Sequence, residues 1–437
     1  MALDTEPGPD PAERMTGRLN LFQRTMLRWK DLHPYNAVHV LRIDAALDEA
    51  GLRGAIAAQL ESWGLTGLEV RKGRYRYRGG PAVVQLEVLA DRSLDAALER
   101  ELNEPFAPGP AIEPFRFFAI PEPGGFQLGL AYDHFVAGGD SIVMLLAAIA
   151  ARYGEAPVPL PGTPELYPAT YRRLFASRPL AFARALALLP GLLRDARRTA
   201  RPRYQDDHDG YDEFTHFRVG ATQVRALLDT GRRWGVTLND LLLAMLLQAL
   251  APLAPERAEE PRRDRVAVAS IVNARRDFGY TTAAVFGQFL ASMRVSHRVP
   301  EGIGLRALAE EVHGTTASMK GGRLYLRTLP ALGIAAIAWP FLTRERRERF
   351  FAKTYPVWGG VTTLNVNALW PGGGGRAPTA EYLRGVPTGP LSPLVLAVTT
   401  TAEVMNVGVT FRRTVFSRAA VDAVTLRLRG CIESLPA

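Results

Sequence analysis

Residues 126–146 read FQLGLAYDHFVAGGDSIVMLL, and the period of this stretch changes in its middle. Phe126, Leu128, Leu130 and Tyr132 occupy alternate positions, the two-residue repeat of a strand. Gly138 and Gly139 break that repeat, and from Ile142 to about Ala151 the residues are almost all apolar, as in a buried helix. Asp140 and Ser141 stand where a polar side chain caps a first helical turn. The unit is therefore strand, tight glycine turn, capped helix, with His134 where the strand ends. A histidine there either caps the turn or presents its ring for chemistry. An imidazole with an unperturbed pKa of ~6.5 is largely neutral near pH 7 and can accept a proton.

Outward from this unit the chain mixes strands and helices twice over. Before it, residues 17–30 predict a short amphipathic helix and Val38 to Ile43 a strand. Asp48 opens a helix with Leu52, Ile56 and Leu60 on one face. Residues 82–89 predict a strand and Leu94 to Leu102 a helix. After it, a proline-rich connection runs from Ala156 to Pro168, then a short apolar helix over 179–193 and the basic run Arg194 to Arg203. A second series begins near Phe214. It has a strongly apolar helix at Val236 to Leu250 and strands at 266–272 and 286–295. Next come an amphipathic helix at 305–317, an apolar segment at 329–342, strands at 361–369, 394–400 and 405–411, and a final helix from Ser417. This is an α+β pattern in two similar-sized halves. The expected division is a flexible tail at 1–15, one half at 16–160, a connection at 161–212 and the second half at 213–437.

Composition narrows the function classes. The chain has 437 residues, 47% hydrophobic and 22% charged, and a formal net charge of +9. Its single cysteine, Cys431, excludes an internal disulfide framework and any thiolate metal cluster. His33, His39, His208, His216, His297 and His313 show no ligand spacing, so no metal is expected. The polar N-terminus lacks the apolar core of a signal peptide, which with the cysteine usage predicts a cytoplasmic protein. A basic surface suits CoA phosphates, an acidic carrier protein or anionic lipid. No basic stripe is interleaved with aromatics, so nucleic acid is not an expected partner. The apolar segments at 179–203 and 329–349 carry basic ends and read as core or crossover elements, with peripheral membrane contact as the alternative.

The residues from Asn103 to Leu146 resemble the core of condensation domains and of the wider CoA-dependent acyltransferase superfamily. Pro105-Phe106, Gly109-Pro110, Arg116 and His134 fall in that family's order. So do Phe22-Gln23-Arg24 with Pro34-Tyr35-Asn36, Thr237-Leu238-Asn239-Asp240, Asn273-Ala274-Arg275, Phe286-Gly287 and Thr362-Thr363-Leu364-Asn365, over about 400 residues. The resemblance implies two chloramphenicol-acetyltransferase-like halves forming a V-shaped pseudo-dimer with a tunnel at their interface. Plant BAHD and wax-ester-forming acyltransferases share that architecture, so the fold alone does not choose a substrate.

The family motif His-His-x-x-x-Asp-Gly, whose second His is catalytic, appears here as Asp133-His134-Phe135-Val136-Ala137-Gly138-Gly139. His134 is thereby implied as general base. Asp133 replaces the first His, Gly138 replaces the Asp, and an acid returns as Asp140. In the family that Asp pairs with an Arg at the place of Arg275. Here Arg275 either pairs with Asp140 or another local acid, or is left to bind an anionic group on a substrate. Thr363 and Asn365, on the strand implied to face the histidine, are candidates for steadying an oxyanion or positioning substrate.

These readings converge on a standalone acyltransferase. It moves an acyl group from a CoA or phosphopantetheine thioester to a hydroxyl, or an amine, on a small-molecule or lipid acceptor, with no bound cofactor. Three rivals carry weight. One is a catalytically silent relative that only binds a carrier protein. Another is a carrier domain with Ser141 of Gly139-Asp140-Ser141-Ile142 as the phosphopantetheine site, although a strand upstream argues against a helical bundle. The third is a Gly-Asp-Ser-type lipase, which lacks its late Asp-His pair. No Gly-x-Ser-x-Gly elbow, P-loop or zincin motif is present.

Overall fold

The computed structural model describes residues 15–436 apart from 110, 156–163, 168–175, 177–178, 255–256, 258–259, 261, 281–284 and 371–380. All of the expected tail but Met15, most of the proline-rich connection and the glycine run at 372–375 lie outside the described residues.

The strand read from alternation is Gly125–Asp133, and it lies third in a five-stranded sheet. It pairs antiparallel with Asn36–Ile43 on one side and Phe115–Glu122 on the other. Leu86–Val88 adds to the Phe115–Glu122 edge in parallel. Both faces are covered, which is why Gly125–Asp133 is buried along its whole length. Glu49–Ser62 and Gly139–Tyr153 bury Leu52, Ile56, Leu145 and Ile149 with Leu128 and Leu130 on one face. On the other, Leu98 and Leu102 of Leu94–Asn103 meet Val38, Val40 and Ala131. Each such side chain contributes ~1.5–3 kcal/mol of burial.

The second half holds a six-stranded mixed sheet in the order Asp212–Val219, Val404–Arg412, Leu394–Thr401, Gly359–Asn365, Val266–Asn273, Leu290–His297. Against it lies Leu238–Leu250, apolar on every side and accordingly buried. Thr237 and Asp240 cap this helix reciprocally, Thr237 Oγ1 accepting from the Asp240 N–H and Asp240 Oδ2 from the Thr237 N–H. Leu305–Gly321 and Arg418–Glu433 complete the layer.

Several elements depart from expectation, each for a local reason. Gly138, not Asp140 or Ser141, is the N-cap of Gly139–Tyr153, because both polar side chains are committed elsewhere. The expected strand at 361–369 ends at Asn365 and turns into the short helix Val366–Leu369. The expected strand at 286–295 is split into Val285–Phe286 and Leu290–His297, with Gly287 at φ +153° between them. The segment at 329–342 is the helix Thr328–Ala338 followed by a 3₁₀ turn at Pro340. Finally, Tyr382–Gly385 leaves the second half and pairs antiparallel with Asn36–Ile43 as an edge strand of the first half's sheet. Gly408 permits that crossing, since a Cβ there would stand 2.0 Å from the Arg384 carbonyl oxygen.

Candidate active site

The chain leaves Gly125–Asp133 at His134, whose N–H donates to the Tyr35 carbonyl at 3.0 Å. The imidazole is 7% exposed. Its centroid lies 5.5 Å from the Tyr35 ring and 5.6 Å from the Tyr132 ring. The loop is fixed from both halves. Gln288 Nε2, from the second half, donates to the carbonyls of His134 at 2.7 Å and Ala137 at 2.9 Å, and lies 3.4 Å from His134 Nδ1. Gln23 Nε2 donates to the Phe135 carbonyl at 3.2 Å, and Asn20 Nδ2 to the Gln288 carbonyl at 3.0 Å. Three backbone acceptors of a buried loop, at His134, Phe135 and Ala137, thus meet amide donors, which holds the imidazole in one place.

Burial pushes the His134 pKa down to about 3. The nearby Arg384 charge adds to this, and a hydrogen bond to the Ala137 backbone opposes it. The ring is therefore neutral at physiological pH, with one nitrogen donating and the other keeping its lone pair. Asp133, at the place of the motif's first His, is buried and paired with Lys30. Burial raises its carboxyl pKa against the Lys30 charge.

Beyond the glycines the acid–base pair of the motif is rebuilt. Arg275 Nη1 lies 3.2 Å from Asp140 Oδ2, and Asn273 Nδ2 donates to the same oxygen. Arg275 Nη2 donates to Ser141 Oγ at 2.6 Å and to the Gly287 carbonyl at 3.3 Å, with the guanidinium 4.9 Å from the Phe289 ring centroid. Arg275 is thus engaged with Asp140 rather than left open to a substrate. Ser141 is fully buried, and its Oγ also accepts the Gly287 N–H at 3.2 Å. No phosphopantetheine can be carried on a sealed hydroxyl at the start of a helix that follows a sheet strand, so the carrier-domain reading falls. A Cβ at Gly138 would stand 3.0 Å from Gln288 Oε1 and 3.9 Å from Arg275 Nη1. A carboxylate there would start against a buried acceptor. The acid sits two residues on instead, where Arg275 still reaches it.

Thr363 and Asn365 do not face the histidine loop. Alternation along Gly359–Asn365 turns Leu364 inward, its Cδ2 3.5 Å from where a Cβ on Gly139 would be, and puts Thr363 and Asn365 on the opposite, exposed face. Sequence reading missed Gln288 and Arg384, and named Gln23 only within the Phe22-Gln23-Arg24 resemblance, without a role. Arg384 lies on the crossing strand, 3% exposed, and His39 beside it is buried with Nδ1 2.8 Å from the Tyr382 hydroxyl. Tyr35 also lines a surface cleft with Trp29, His33, Tyr204, His208 and Arg412, and His134 itself is not among the residues that line it. Among the described residues no group of three or more His, Cys, Asp and Glu is placed to hold a metal ion.

No protein-family profile matches the chain, and no curated protein does. Solved structures do match over nearly the full length. The chain is similar to the first condensation domain of the CDA synthetase, at 14% identity with 96% of each chain covered and a TM-score of 0.67. It is similar to the condensation domain of the Monacolin K polyketide synthase MokA, at 12% identity, 96% and 98% coverage and 0.66. It is also similar to the epimerization domain from the third module of tyrocidine synthetase B, at 14%, 96% and 97% coverage and 0.63. The chain therefore has the fold of these condensation and epimerization domains, an α+β fold of two halves.

Proposed function

We propose that this chain is an acyltransferase. In this reading it moves an acyl group from a thioester, on CoA or on an acyl carrier protein, to a hydroxyl or amine, with His134 as general base. The observation that carries the reading is an imidazole at the strand end, on a loop whose carbonyls are held by amides from both halves. The acceptor's O–H or N–H gives its proton to His134 as its lone pair attacks the thioester carbonyl. The tetrahedral intermediate collapses, the C–S bond breaks, and the departing thiolate takes the proton back. Ester or amide and free thiol result. A positioned base of this kind contributes ~10²–10⁴-fold.

In this reading donor and acceptor approach His134 by separate paths between the halves. The condensation domains that share the fold support a carrier-bound donor. Exposed Ile334, Ile337 and Phe341, followed by the arginine-rich helix Arg344–Thr354, support peripheral contact with an anionic membrane and a lipid acceptor.

The test offers purified protein acyl-CoA and acylated carrier protein with a panel of alcohols and amines, and follows thiol release and product mass. Acylated product from any pair supports the proposal. Carrier binding without turnover across the panel replaces it with the silent, carrier-recruiting reading.

A further inference from the structure

Arg384 is a buried cation whose bonds stop short of its donors. Its Nε donates to Thr399 Oγ1 at 2.8 Å, and its Nη2 to the carbonyls of Thr362 at 2.9 Å and Val398 at 2.8 Å. All three partners are neutral. Nη1 has no hydrogen-bond partner among the described residues, and no described carboxylate lies within ion-pair distance of the guanidinium. The acid that acts on it through space is Asp140, and that carboxylate is already taken by Arg275 and Asn273. Burying a guanidinium without a counter-ion is costly.

Nη1 lies 3.5 Å from where a Cβ on Gly139 would stand, as do His39 Cε1 and Leu364 Cδ2. The free nitrogen therefore faces the glycine turn that follows His134, and it is the absence of a side chain at Gly139 that leaves it uncovered. Arg384 also exerts the largest charge effect on the His134 ring. Both side chains are buried, and they come from different halves of the molecule.

We propose that Arg384 binds an anionic group of the acceptor, a carboxylate, at the Gly138-Gly139 turn, so that the acceptor's hydroxyl or amine is presented to His134. The acceptor class is then hydroxy or amino acids with a free carboxylate rather than neutral alcohols. This rests on the acyl-transfer reading for its purpose but not for its test, which measures binding. An oxyanion formed on the thioester carbonyl is the other oxygen anion that Nη1 suits, and the same experiment separates the two.

Binding of 3-hydroxybutyrate, 4-hydroxybenzoate and β-alanine, each beside its carboxamide, is measured by saturation-transfer NMR on wild type, Arg384→Gln and Arg384→Lys. The proposal expects at least one acid to bind wild type ten-fold or more tighter than its amide, the preference to vanish in Arg384→Gln, and part of it to return in Arg384→Lys. Gly139→Ala keeps the arginine and its bonds but covers Nη1 at an ordinary contact distance. It is expected to weaken acid binding while leaving Tm near wild type, which guards against misfolding of the arginine variants. Equal binding of acids and amides by wild type overturns the proposal. So does a preference that survives in Arg384→Gln. If acyl transfer is found and Arg384→Gln lowers kcat alike for acids and amides with KM unchanged, Nη1 serves the thioester oxyanion and the carboxylate assignment is wrong. An acid preference in a protein that shows no acyl transfer upholds this site and removes only the catalytic reading.

Discussion

At the scale of single residues the active loop depends on donors that come from far away in the chain. Gln288 reaches His134 and Ala137 across 154 and 151 positions. Gln288→Leu removes the amide donor from two buried carbonyls and leaves the His134 carbonyl without a side-chain partner, a cost of ~1–3 kcal/mol. A matching fall in stability by chemical denaturation is expected, with kcat dropping more than KM because the imidazole is no longer held. Unchanged unfolding would mean that water or a neighbour replaces the amide. His134 was singled out in the sequence through the resemblance of Asn103 to Leu146 to condensation domains; alternation and the two glycines alone place only a histidine at a strand end. Gln288 and Arg384 could not be found there, since each acts as one polar side chain in an otherwise apolar run and its partner appears only on folding. Gly138 was readable as a departure and Asp140 as the acid that could replace it, but the choice between that pairing and an open Arg275 was not. That required knowing that the first turn of Gly139–Tyr153 points Asp140 at Arg275.

At the scale of elements, long periodic segments were readable and short or crossing ones were not. Leu238–Leu250 and Gly125–Asp133 match expectation to within two residues. Tyr382–Gly385 has four residues, no alternation, and a fate decided by a sheet in the other half. Thr363 and Asn365 show a related limit. The strand was legible, but its inward face was not, and a one-residue difference exchanges the two faces. The crossing strand makes its own prediction. Gly408→Ala places a methyl group where the Arg384 carbonyl passes, so the strand is pushed off Val404–Arg412. A loss of about 1–3 kcal/mol is expected from overpacking, together with loss of any carboxylate preference that depends on Arg384. Wild-type stability in Gly408→Ala would show that the two segments do not approach as closely as described.

At the scale of the whole molecule, the buried histidines tie stability to pH. Burial holds both His134 and His39 below the ordinary imidazole value, with Arg384 adding to each. In the unfolded chain both take up protons near pH ~6.5, while the folded protein does not until far lower. The unfolded state therefore binds more protons between about 3 and 6.5, and stability falls as pH falls through that window. Tm is expected to drop steadily from pH 7 to pH 5, and His39→Gln with His134→Asn should flatten the slope. A slope unchanged by the double variant would assign the acid sensitivity elsewhere. The division into two halves was legible from the doubled order of elements, whereas the exchange of an edge strand between them was not. All of this bears on one question, whether the ring where the first-half sheet meets the second half is the base for acyl transfer. The most direct measurement is single-turnover acyl transfer by wild type and His134→Ala, on whichever donor and acceptor the panel identifies. The account predicts a ~10²–10⁴-fold slower chemical step in the variant with little change in donor binding. Equal rates in the two proteins would contradict it.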